Sequence, residues 1–230
     1  MKKASKITVR NLFNVPGEGT FQGQTNDNFE LLKAWAGTTL AFAILRSRGN
    51  VLDRAFLTDL LISGVVCGLA FVLHELAHRI VARSYGAEAH FIANNGMLLV
   101  SIVIAFLGVF FAAPGAVWHR GILTRRQSGL IALAGPATNL VLSLVFLIGL
   151  VALSAAPIRL PGPWVIELCY VGFRLNAWIG LFNMIPAGPF DGAKVLSWNV
   201  LVFGITVGIG VLLAFILNDR MLLSLLQSFP

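Results

Sequence analysis

Long apolar runs broken by short polar clusters set the organisation of this chain. A helix needs about 20 apolar residues to cross a hydrocarbon layer of about 30 Å. Phe29–Leu45 is a short first candidate that carries Lys33, and a loop with Arg46, Arg48, Asp53 and Arg54 follows it. The second candidate runs from about Phe56 to Tyr85. From Leu60 to Leu73 it holds only apolar residues, Gly and Ser, and it ends among Arg79 and Arg83. Gly86–Gly96 is polar and mixed, and Met97–Ala113 is apolar again before Pro114-Gly115. Three more apolar segments, roughly Gly129–Leu153, Trp164–Ile185 and Val195–Leu217, predict further spans, with Trp164 and Trp198 suited to an interfacial belt. The tail Met221–Phe229 suits an interfacial helix. Residues 1–28, with Pro16, Gly17, Gly19 and Gly23, read as a polar leader without a core. The membrane domain is then 29–230.

Composition narrows the class. Of 230 residues, 57% are hydrophobic and 12% charged, whereas soluble domains carry about 25% charged residues. The expectation is an all-α polytopic membrane protein of about five to six transmembrane helices, with a small β-rich or re-entrant segment after the second span. The weak in–out alternation argues against an outer-membrane barrel. The net charge of +7 comes from Lys and Arg between apolar runs, which fits loops at anionic headgroups rather than nucleic-acid binding. Lys2, Lys3, Lys6 and Arg10 are followed by polar sequence, so no cleavable signal peptide is expected. Cys67 and Cys169 lie within apolar runs and read as small packing residues.

The chemistry enters at His74-Glu75-Leu76-Ala77-His78. On a helix, positions i and i+4 share a face, so both imidazoles can reach one cation, and the glutamate between them can act as general base toward a metal-activated water. The competing reading is two buried histidines in ordinary hydrogen bonds. Ionisable side chains inside an apolar span are costly and point to function. Catalytic zinc takes three protein ligands, and Asp191 in Asn183-Met-Ile-Pro186-Ala-Gly188-Pro189-Phe-Asp191-Gly192 is the candidate third. Two prolines and two glycines break the helix there. Asp191 is alternatively the N-cap of a helix starting near Ala193. If one ion joins these residues, the second span and 164–185 cross in the same direction, and 129–153 is the return. Met97–Ala113 is then re-entrant, interfacial or β-like, as Val100, Ile102, Val103 and Ile104 suggest. Loop charge favours a cytoplasmic site.

Three motifs in order, His74-Glu75-Leu76-Ala77-His78, Ala134-Gly135-Pro136-Ala137-Thr138-Asn139 and Asn183-x-x-Pro186-x-x-x-x-Asp191-Gly192, resemble those of the site-2 protease family of intramembrane zinc metalloproteases. The resemblance covers about 57–195, the expected catalytic core. It implies one zinc per chain on His74, His78 and Asp191, Glu75 as the residue that activates water, and single-span membrane proteins as substrates in regulated intramembrane proteolysis. It also implies short β-structure within 87–127, and 97–113 is longer than a simple hairpin requires. The loops leave no room for a PDZ-type or nucleotide-binding regulatory module. Asn139 serves either as an amide donor to the substrate oxyanion or as interhelical glue. His90 and His119 read as boundary residues, and a strand edge near Pro114–Val117 is positioned to hold an unwound substrate segment. The rival class is a zinc-binding transporter or sensor, which has no need of Glu75.

Overall fold

The computed structural model describes residues 26–110, 114–155 and 162–227. Most of the expected leader, residues 1–25, lies outside them. The described chain divides into two compact units. One comprises the chain up to Gly68 together with Glu88–Arg120; the other comprises Leu69–Ala87 and the chain from Gly121 onward.

In the first unit, α1 (Asp27–Arg46) is capped by Asn26, whose side chain accepts from the Asn28 and Phe29 amides. The helix therefore starts inside the stretch read as leader. It runs back against α2 (Ala55–Cys67): the Trp35 indole donates to the Gly64 carbonyl at 2.8 Å, and Arg46 pairs with Asp59 at 3.0 Å. Gly64 and Gly68 give the small-residue spacing that lets helices approach closely, and a Cβ at Gly68 would sit 3.0 Å from the Trp35 nitrogen. Strand β1 (Glu88–Ala93) pairs antiparallel with β2 (Gly115–Arg120), with Glu88 opposite Arg120 and Ala93 opposite Gly115. Glu30 of α1 accepts from the Ala93 amide, and Asp27 meets His90 at 2.9 Å.

Between the strands the expectation is corrected in part. Asn95–Ala105 is helix α4 rather than strand or loop, because the Asn94 side chain accepts from the Met97 amide and starts a helical turn. That local cap overrides the β-preference of Val100, Ile102, Val103 and Ile104, which depends on context. At 11 residues α4 extends about 16 Å, too short to cross a bilayer.

The second unit is built on three helices. α3 (Leu73–Ser84) continues α2 through a π-helical turn, Gly68–Val72. It packs on α5 (Arg125–Ala155), and α5 packs on α6 (Trp164–Phe182). Side-chain pairs fix the directions. Along α3 and its preceding turn, Ala70, His74 and His78 meet Asn139, Asn139 and Ile131 in turn. Along α6, Cys169, Gly172, Phe173 and Asn176 meet Gly149, Phe146, Ser143 and Asn139. Both series descend along α5, so α3 and α6 run parallel to each other with α5 as the return, as the shared-ion argument requires. Leu140, Phe146, Leu150, Cys169, Phe173 and Ala177 form the core between them. Both cysteines are free and buried.

Three described helices are long and apolar enough to cross a membrane: Ala55–Ser84, Arg125–Ala155 and Trp164–Phe182. The span expected over Val195–Leu217 is interrupted. α7 (Asp191–Trp198) stops at Asn199, whose backbone is extended, and the Asn199 side chain then caps α8 (Val200–Val211). A second π-turn, Leu212–Ile216, follows, and α9 (Asp219–Gln227) ends the described chain. Asp219 ties α9 back to α6 through Tyr170 at 2.8 Å and Arg174 at 3.6 Å. Arg174 also donates to the Ala214 and Leu217 carbonyls.

Candidate metal centre

Two helices and a loop bring the site together within the second unit. His74 and His78 lie one turn apart on α3, both buried, with their Nε2 atoms 3.0 Å apart. Asp191 heads α7. The loop before it closes on itself, since the Gly192 amide donates to the Asn183 carbonyl at 2.8 Å. A Cβ at Gly192 would lie 2.2 Å from the Met184 carbonyl oxygen, so only glycine permits that return. Closure delivers the Asp191 Oδ2 to 3.1 Å from His78 Nε2 and 3.5 Å from His74 Nε2.

The outer nitrogens are committed elsewhere. His78 Nδ1 faces the Ile131 carbonyl at 2.7 Å. A carbonyl has no proton, so Nδ1 carries it and Nε2 keeps its lone pair. Ile131 lies one turn before Gly135-Pro136 on α5. His74 Nδ1 faces Asn139 Oδ1 at 2.5 Å. The cluster thus points two imidazole nitrogens and a carboxylate oxygen at one spot, and it needs a positive charge there.

These three groups can hold a metal ion, with ligand atoms all within 4.8 Å of one another. Tetrahedral zinc with bonds of about 2.0–2.1 Å separates its ligand atoms by about 3.3 Å. The observed edges of 3.0, 3.1 and 3.5 Å bracket that value. Gly135 supplies the space. A Cβ there would lie 2.4 Å from His78 Nε2 and 2.5 Å from His74 Nε2, close to where a cation bridging the nitrogens belongs. The residues present therefore fit zinc.

Glu75 follows His74 on the same turn and is half-buried. Asn139 is brought to the site. Its Nδ2 donates to the Ala70 carbonyl at 2.8 Å and to Asn176 Oδ1 at 2.9 Å. Both amide protons bond neighbouring segments and the residue is fully buried, the arrangement interhelical glue would have. His90 and His119 lie on β1 and β2 of the first unit. Sequence reasoning missed Asn176, and it quoted Gly135 within a motif without giving it a role. A lone amide inside the apolar run Leu175–Ala177 was the available signal for the first.

Comparison with known proteins agrees with this chemistry. The chain is 39% identical over 170 residues, 73% of its own length and 84% of the relative's, to a protein of Methanocaldococcus jannaschii named "Putative zinc metalloprotease MJ0611". It is 33% identical over 151 residues to "Putative zinc metalloprotease Rip3" of Mycobacterium tuberculosis, covering 64% of this chain and 34% of that one. It is 28% identical over 143 residues to "Putative zinc metalloprotease YwhC" of Bacillus subtilis, covering 56% and 64%. The chain thus spans about a third of the Rip3 relative and under two thirds of YwhC. No family model matches it, and no solved structure matches it.

Proposed function

The chain belongs to the site-2 protease family of zinc metalloproteases, and on that premise we propose that it is an intramembrane zinc endopeptidase acting on single-span membrane proteins. One observation carries the reading: two imidazole nitrogens with lone pairs and one carboxylate oxygen converge inside a helical unit of apolar composition. His74, His78 and Asp191 hold the ion, one per chain. When bound, zinc supplies a Lewis acid to the scissile carbonyl and acidifies a water. Glu75 accepts the proton of the attacking water and delivers it to the departing amine nitrogen, so that one water is consumed per bond broken.

The site sits below the lipid headgroups. His78 is about 8 Å along α3 from Arg83, and Gly135 about 14 Å along α5 from Arg126. With those arginines on the cytoplasmic side, the site lies nearer that face of the cell membrane. A helical substrate hides its carbonyls in its own hydrogen bonds, so it must unwind locally before hydrolysis.

Glu75→Gln is expected to retain zinc while losing cleavage of a single-span reporter in detergent or vesicles. His78→Ala is expected to lose both. Full proteolysis by the Glu75→Gln protein would reject Glu75 as the general base, whereas a wild-type protein that binds zinc but cleaves no such reporter would favour a zinc-binding transporter or sensor.

A further inference from the structure

A chain of buried amides leads from a backbone carbonyl to His74, and its direction is forced. Asn176 Nδ2 donates to the Gly172 carbonyl at 2.9 Å. A carbonyl only accepts, so Asn176 must turn its oxygen toward Asn139. The Asn139 amide nitrogen then lies between two acceptors, Asn176 Oδ1 and the Ala70 carbonyl. Its oxygen has one place left, against His74 Nδ1. That oxygen carries no hydrogen, so the proton sits on Nδ1 and the lone pair on Nε2, aimed at Asp191. Both asparagines are fully buried. The Ala70 carbonyl belongs to the π-turn Gly68–Val72.

We propose that Asn139 is a positioning residue that fixes the tautomer and ring orientation of His74, and that Asn176 acts through it by fixing which way the Asn139 amide faces. This rests on the reading of His74, His78 and Asp191 as the zinc ligands. His78 needs no such relay, because a main-chain carbonyl already holds its Nδ1. The two ligands are therefore supported differently: one by backbone that substitution cannot remove, the other by two side chains that substitution can. Partners behind a metal-bound histidine change affinity about 10–100-fold when lost.

The test uses the full chain in detergent, loaded with zinc, with ¹⁵N-labelled histidine. Wild type is expected to bind about one zinc per chain and to show two ligand imidazoles protonated at Nδ1. Asn139→Leu removes the acceptor. Its zinc affinity, measured against a competing chelator, should fall about 10–100-fold, with the Nδ1–H signal of His74 lost or shifted and that of His78 unchanged. Asn139→Asp restores an acceptor and should recover the His74 signal relative to Leu. Asn176→Leu, two links from the ion, should shift His74 in the same direction by less. Unchanged affinity and an unchanged His74 signal in Asn139→Leu would overturn the proposal, as would equal disturbance of His74 and His78. A wild-type protein that binds no zinc would instead reject the ligand assignment itself, which separates the two failures.

Discussion

Gly135 carries no side chain at a place on α5 where a side chain would touch both imidazole nitrogens. Its backbone is helical, so alanine costs nothing there conformationally and is favoured by about 1 kcal/mol on helix propensity. A Cβ there would meet both buried rings at 2.4 and 2.5 Å, so Gly135→Ala is expected to displace them at some cost in stability but leave a folded metal-free protein, while zinc content falls below about a tenth of the wild-type stoichiometry of one per chain. Elemental analysis beside a thermal melt checks this. A protein that loses both would show a folding defect rather than a filled ion site. Asp191 behaves differently. Asp191→Asn keeps the shape but removes the charge, so zinc binding should weaken by at least about tenfold with the helices intact by circular dichroism.

At the scale of elements, the ties at the C-terminal end are separable from the centre. Arg174 bonds the Ala214 and Leu217 carbonyls and faces Asp219, while Tyr170 bonds Asp219 directly. Arg174→Met should leave these acceptors without that donor, at about 1–3 kcal/mol. Hydrogen exchange over 219–227 should accelerate about tenfold or more, with zinc affinity unchanged. The elements also show what a linear reading can see. The spacing of His74 and His78 and the Pro/Gly break before Asp191 were legible, because a turn of helix and a broken helix both leave local marks. Asn94 and Asn199 were not read as helix starts. Each stands beside an apolar run, and the hydrogen bonds its side-chain oxygen accepts from amides two or three residues on decide the matter. The π-turn at Gly68–Val72 was invisible, since it depends on contacts that α5 makes with Ala70.

For the molecule as a whole, the ion joins segments more than a hundred residues apart, so its binding should couple to folding. Stripping zinc with a chelator is expected to lower the melting temperature. Restoring free zinc to about 100-fold above its dissociation constant should return about 2.7 kcal/mol. The His78→Ala protein should melt at one temperature with or without chelator, and a zinc-dependent melt in that variant would place the ion elsewhere.

The loop tied shut between Asn183 and Gly192 also has a mechanical meaning. Because the strap begins and ends on the last turn of α6, the carboxylate rides on the same rigid rod as Asn176. The break at Asn199 falls between α7 and α8, so the closure that sets the carboxylate is made on α6 and not across that break.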